Sequence, residues 1–149
     1  MVDQLDRLAQ GFDLALATLV YATLTLRPGG AELQFSNAGH PPPLVRSPRG
    51  QVAALTDGTS WLIGLPASGL GSRRGATAWL PAGSSLVLYT DGLVERHRQH
   101  LDEGLERLCD ALAGPVPDAS PDGLCNRIIQ AMAGDGFVDD LALLVVRIR

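Results

Sequence analysis

Two stretches decide how this chain is read: Leu86-Val87-Leu88-Tyr89-Thr90-Asp91-Gly92, and Asp139-Asp140-Leu141-Ala142-Leu143-Leu144-Val145-Val146. A strand with one wet face alternates apolar and polar residues. Leu86 to Tyr89 and Leu141 to Val146 do not alternate, so each reads as a strand covered on both faces. Asp91 closes the first run, and Asp139 and Asp140 open the second. If the two strands are antiparallel neighbours, the end of one and the start of the other share an edge. Carboxylates brought together repel unless a cation or proton lies between them. Hard oxygen donors favour Mg²⁺ or Mn²⁺ over Zn²⁺. The plain alternative is a turn: Asp-Gly is a common turn pair, and an Asp pair before a strand can be a solvated loop.

Upstream, Leu5, Leu8 and Phe12 have helical spacing, and a short amphipathic helix is expected over Met1 to Phe12. Thr18 to Leu26 reads as a strand. Arg27-Pro28-Gly29-Gly30 is a turn, and Leu33 and Phe35 alternate with Glu32, Gln34 and Ser36. That pattern is an antiparallel hairpin. Three prolines exclude helix and central strand from Asn37-Ala38-Gly39-His40-Pro41-Pro42-Pro43. Short strands follow at Leu44-Val45 and Val52 to Leu55, a loop from Asp57 to Pro66, and a strand over Ala76 to Leu80. Downstream, Leu101, Leu105, Leu108 and Leu112 stripe one helix, with Gly114 and Pro115 as its stop. A second helix has Ser120 as N-cap, Pro121 as first residue, and Leu124, Ile128, Ile129 and Met132 as its stripe. The order implies an α+β fold, a mainly antiparallel sheet covered by helices.

The 149 residues suit one domain with one core. Twelve basic against sixteen acidic residues give a net charge of −4, without the basic footprint of a nucleic-acid binder. Every basic residue besides histidine is arginine. The most apolar stretch, Leu14 to Leu26, is interrupted by threonines and too short to cross a bilayer. The acidic N-terminus is not a signal peptide. Cys109 and Cys125 lack zinc-ligand spacing and read as small buried thiols, which suits a reducing cytoplasm.

Four pieces occur here in one order: Asn37-Ala38-Gly39-His40-Pro41-Pro42-Pro43-Leu44, Leu62-Ile63-Gly64-Leu65, Leu86 through Glu95, and Asp139 through Val146. That series resembles the later part of the SpoIIE-like, PPM-type metal-dependent protein phosphatases of bacteria, from about Ala17 to Arg147. The resemblance implies an α–β–β–α sandwich, with two antiparallel sheets face to face and helices outside. It implies hydrolysis of phosphoserine or phosphothreonine by activated water, using two Mn²⁺ or Mg²⁺ ions. The implied substrates are phosphorylated anti-anti-sigma-like proteins in the cytoplasm. Asp91 and Asp139 match metal ligands of the family. Asp140 and Gly92 stand beside them as orienting residues. The family's earlier glycine-rich D-x-x-G-H-G-like segment is not found ahead of Asn37, so residues 1–149 resemble a single domain lacking its first part. Two acidic side chains hold at most one cation, weakly and mostly through water, because a hard cation takes about six oxygens. Strands left with open edges or faces predict a chain that associates with itself or with a partner, or is only marginally stable. The rival reading is a non-catalytic module that docks an anti-anti-sigma-like regulator, and a second rival is a structural fragment without a ligand.

The remaining polar and aromatic residues receive structural readings. His40 belongs to its turn, and His97 and His100 to a solvated loop or a frayed helix start. Arg73-Arg74 is a solvent-facing pair, and Trp61 and Trp79 are packing residues.

Overall fold

The computed structural model describes residues 2–11, 16–65, 72–96, 100–134 and 140–149, without the side chains of residues 10 and 11. Its elements are α1 (Val2–Gly11), β1 (Leu19–Arg27), β2 (Gly30–Ala38), β3 (Leu44–Arg46), β4 (Val52–Ala54), β5 (Thr59–Ser60), β6 (Ala76–Pro81), β7 (Ser85–Tyr89), α2 (Leu101–Leu112), α3 (Pro121–Met132) and β8 (Leu143–Arg147).

β1 and β2 form the expected hairpin, in unbroken antiparallel register from Leu19↔Ala38 to Arg27↔Gly30. Pro28 and Gly29 turn it, and Gly29 takes φ 83°, a backbone region glycine enters without strain. On its other side β2 holds β6 antiparallel and, at its end, the two residues of β5 in parallel. β5 falls inside the stretch expected to be loop. The second sheet runs β4-β3-β7-β8, all antiparallel. The three-residue link from β6 to β7 is therefore not a hairpin; it carries the chain from one sheet to the other.

β7 is covered on both faces, as its unbroken apolar run predicts. Leu86 and Leu88 point into a cluster between the sheets, with Leu33, Phe35, Leu80, Leu24 and Ile148. Val87 and Tyr89 point the other way, against Leu108, Leu112, Leu124, Ile128 and Met132 of α2 and α3. α1 packs near Leu19, Tyr21 and Ala38, on the outward side of the first sheet. The layers run helix, sheet, sheet, helices, and the fold is the mainly antiparallel α+β sandwich expected. The last strand begins at Leu143 rather than Leu141, because Leu141 and Ala142 lie beyond its pairing with β7.

Three local expectations are corrected. α1 does not bury Leu5 and Leu8, which are 41% and 57% exposed; it buries Val2, Asp6 and Ala9. Phe12, the third residue of that stripe, lies outside the described residues. Trp79 is 52% exposed. It lies opposite Glu32 on the outward face, and a Cβ at Gly30 would meet the Leu80 carbonyl oxygen first and the Trp79 ring next. Arg73 is not solvent-facing. Its side chain is only 3% exposed and is paired with Asp6 at 2.9 Å. The cause is the same in α1 and at Arg73: a buried ion pair occupies ground that apolar periodicity assigns to leucine.

Ser120 caps α3 as expected, its hydroxyl accepting from the Gly123 N–H at 3.1 Å. Arginines hold other chain reversals by donating to backbone carbonyls. Arg46 reaches Leu112 and Gly114, Arg127 reaches Ala111, Arg96 reaches Met132, Arg147 reaches Ala119, and Arg73 reaches Trp61 and Leu62. The carbonyls of Ala111, Leu112 and Met132 belong to the last turns of α2 and α3, where helices leave acceptors unpaired. Cys109 and Cys125 are free and half-buried, and burial is the leading cause that raises both thiol pKa values.

The Tyr89 hydroxyl is buried without a hydrogen-bond partner among the described residues. Burial pushes its phenol well above the usual 10.0. Above about pH 10 the unfolded chain ionises Tyr89 while the folded chain does not, so stability falls as pH rises past that point. Tyr89→Phe is therefore expected to change stability by less than about 1 kcal/mol at pH 7. It should also flatten the alkaline loss, read as urea midpoints at pH 8 and pH 10.5.

Candidate metal centre at the shared edge of two strands

The pairing of β7 with β8 ends at Tyr89↔Leu143. Thr90 continues it. The Thr90 N–H donates to the Ala142 carbonyl at 3.0 Å. Its hydroxyl donates to the Asp140 carbonyl at 3.1 Å and accepts from the Ala142 N–H at 2.8 Å. One threonine thus clips the start of the second apolar run to the end of the first. Asp91 follows that clip in the chain, at the edge where Asp140 enters; Asp139, with which Asp91 is expected to converge, lies outside the described residues. The signal for Thr90 was present, a hydroxyl directly after a buried strand, but reading it requires knowing which strand lies beside it.

Asp91 is exposed and opens a short 3₁₀ turn, Asp91–Leu93. One of its carboxylate oxygens accepts from the Gly92 N–H at 3.0 Å. Its carbonyl accepts from Val94 and Glu95 at 2.8 and 2.7 Å. Gly92, the donor of that bond, is buried. Asp140 is exposed, with its carbonyl held by Thr90. Asp139 lies outside the described residues.

The proline-rich turn closes onto the same strand end. Asn37 holds it, accepting from the His40 N–H at 2.8 Å and donating to the His40 carbonyl at 2.7 Å. The His40 ring bridges the Thr18 hydroxyl at 2.9 Å and the Tyr89 carbonyl at 3.0 Å. Both ring nitrogens are engaged, so His40 is a brace between the turn and β7 and not a metal donor. A hollow of about 210 Å³ beside it is lined by His40, Leu88, Tyr89, Thr90 and Ala142 to Leu144.

The donor chemistry of Asp91 suits a hard cation, since a carboxylate offers only oxygen. The donor number does not suit two. Among the described residues, no three His, Cys, Asp or Glu side chains are placed to hold one ion together. The described residues by themselves build no metal centre.

Several solved structures share this architecture. The RsbU and RsbW domains of Rv1364c from Mycobacterium tuberculosis superpose with a TM-score of 0.80 at 26% identity, over 97% of this chain and 40% of that one. The Mn-presoaked phosphatase domain of the cell fate determinant SpoIIE from Bacillus subtilis gives 0.69 at 18% identity, over 98% and 63%. RsbX in complex with magnesium gives 0.67 at 17% identity, over 100% and 65%. At those two lower identities the likeness is one of fold. This chain spans less than two thirds of each of the three. The family model described as Stage II sporulation protein E (SpoIIE) matches residues 1–149. With its sandwich, its braced proline turn and its acidic strand edge, the chain belongs to the SpoIIE family.

Proposed function

We propose that this chain is a domain of a PPM-type protein serine/threonine phosphatase. Asp91 and Asp139 are its ligands for Mn²⁺ or Mg²⁺, and its substrate is a phosphorylated anti-anti-sigma-like protein of the cytoplasm. The observation that supports the reading is the Thr90 clip, which ties the residue before Asp91 to the backbone of Asp140 and Ala142. Family membership and the RsbU and RsbW domains joined in the M. tuberculosis protein support a partner-switching role. A bound divalent cation would lower the pKa of its water and offset charge on the phosphoryl oxygens. The chain's own contribution is positional. Gly92 aims the Asp91 carboxylate, Thr90 locks the 140–142 backbone, and His40 pins the strand end from the other side. Asp140, adjoining Asp139, orients it.

The test is hydrolysis of a small aryl phosphate with Mn²⁺, alongside Mn²⁺ binding by calorimetry, for the parent, Asp91→Asn and Asp139→Asn. The expected result is turnover that requires Mn²⁺ and is lost in both variants. Absence of turnover, with an unchanged circular dichroism spectrum, would replace this reading with a non-catalytic module that docks the same regulator.

A further inference from the structure

We propose that the guanidiniums of Arg46, Arg127 and Arg147, with the Ser85 hydroxyl, form a binding site for a tetrahedral oxyanion, the phosphate dianion. The proposal is independent of the activity above.

The site is built from the second sheet upward. Arg46 of β3 pairs with Ser85 of β7, and Ser85 pairs with Arg147 of β8. Side chains directly opposite in an antiparallel sheet share one face. The three therefore form a row across the sheet, with the hydroxyl between two guanidiniums. Val87 and Tyr89, in phase with Ser85, point toward α2 and α3, so the row points there too. Arg127 of α3 meets it from above. It donates to the Ala111 carbonyl, and Arg46 donates to the next carbonyl, that of Leu112. Arg147 donates to the Ala119 carbonyl, just before α3. The walls are thus three strands, the end of α2, α3 and the link between the two helices. Asp91 lies beyond the other end of β7.

Two observations call for an anion. The first is charge. Among the described residues, no ion pair joins any of these three arginines to a carboxylate. Asp118, on the link, is exposed and accepts from the Ser120 N–H at 2.9 Å. The carbonyls that accept from the arginines carry no net charge. The strain falls on Arg46, which is 4% exposed. Its pKa drops from 12.5, first through burial and then through the charges of Arg147 and Arg127. The second observation is Ser85. It is fully buried, and its hydroxyl has no hydrogen-bond partner among the described residues. Buried hydroxyls are ordinarily paired. A doubly charged oxyanion answers both. It accepts from the hydroxyl, and it offsets the repulsion among the three cations. The planar guanidinium fork matches its oxygens. Arg127 and Arg147 are half-buried, unlike Arg46.

Thermal unfolding in EDTA, over a phosphate series balanced with chloride to constant ionic strength, reads the site without a divalent cation. The parent's Tm should rise with phosphate and saturate. Isothermal titration gives the Kd. Ser85→Ala should leave the phosphate-free Tm unchanged or higher, since it removes an unpaired buried hydroxyl, yet weaken phosphate several-fold. Arg147→Gln should weaken it about tenfold, as loss of one charge-assisted hydrogen bond does. Phosphoserine as a second titrant separates free from esterified phosphate. Tighter binding of phosphoserine supports the site and makes the esterified group its source. A parent whose Tm follows ionic strength alone overturns the proposal. So does a phosphate-dependent rise undiminished in either variant, which moves the anion elsewhere on the chain.

Discussion

Asp6→Ala is expected to cost about 3–5 kcal/mol, the range for removing one partner of a buried ion pair. Arg73 is almost fully buried, and its Nη2 lies 2.9 Å from the Asp6 carboxylate. The same guanidinium donates to the Trp61 and Leu62 carbonyls and lies over the Trp61 ring, 5.1 Å from its centre. The other Asp6 oxygen accepts from the Gly64 N–H at 2.8 Å. Truncation therefore leaves a cation without its counter-charge and an amide without its acceptor. Asp3 does not compensate, at 3.8 Å and largely exposed. Exposed pairs of that kind contribute little. Arg73→Lys should cost less than Asp6→Ala: it keeps the charge beside Asp6 and gives up the planar fork that serves two carbonyls. Urea denaturation of both variants gives the ranking. Equal losses would mean that the carbonyl contacts, not the charge pair, hold α1 to the 61–64 segment.

Gly104→Ala is expected to destabilise by about 3 kcal/mol, at the upper end of overpacking costs. In an exposed helix the same change stabilises, since alanine is the better helix former by about 1 kcal/mol. Gly104 is buried in α2. A Cβ there would run into the Val94 carbonyl oxygen and stand 2.8 Å from its carbon. The obstacle is backbone, fixed by the turn after Asp91, whose carbonyl accepts from the Val94 N–H at 2.8 Å. Relief requires α2 to withdraw, opening the contacts of Leu108 and Leu112 as well. Thermal unfolding measures the sum. A rise in Tm would mean that α2 docks more loosely than this close approach indicates.

The central strands were legible because their pattern is local. Leu33 and Phe35 alternate, Leu86 to Tyr89 do not, and the outcome matches in each case. The helices α2 and α3 were legible for the same reason, down to the Ser120 cap. The convergence of Asp91 with the 140–142 backbone was legible only through a pairing that the two apolar runs implied. What escaped is non-local. Arg73 and Arg74 are the same residue side by side; one is buried because Asp6, far back in the chain, reaches it, and no window around position 73 contains that information. The exposed Leu5 and Leu8 follow from the same contact, since the helix turns toward its ion pair. β5 escaped because two residues against the end of β2 carry no period. Trp79 escaped because its size argues for burial, whereas its register opposite Glu32 places it on the outward face.

The carbonyl clasps made by Arg46, Arg73, Arg96, Arg127 and Arg147 have a consequence for proton traffic. A chain with twelve arginines and no lysine has no side-chain amine to discharge. Burial, and after it the nearby charges of Arg147 and Arg127, lower the pKa of Arg46 from the usual 12.5. The alkaline side of the sandwich's titration belongs largely to phenols and thiols, with Tyr89, Cys109 and Cys125 displaced upward by burial. With no ammonium group among its side chains, the molecule's response to base is written largely by a few apolar-bound acids.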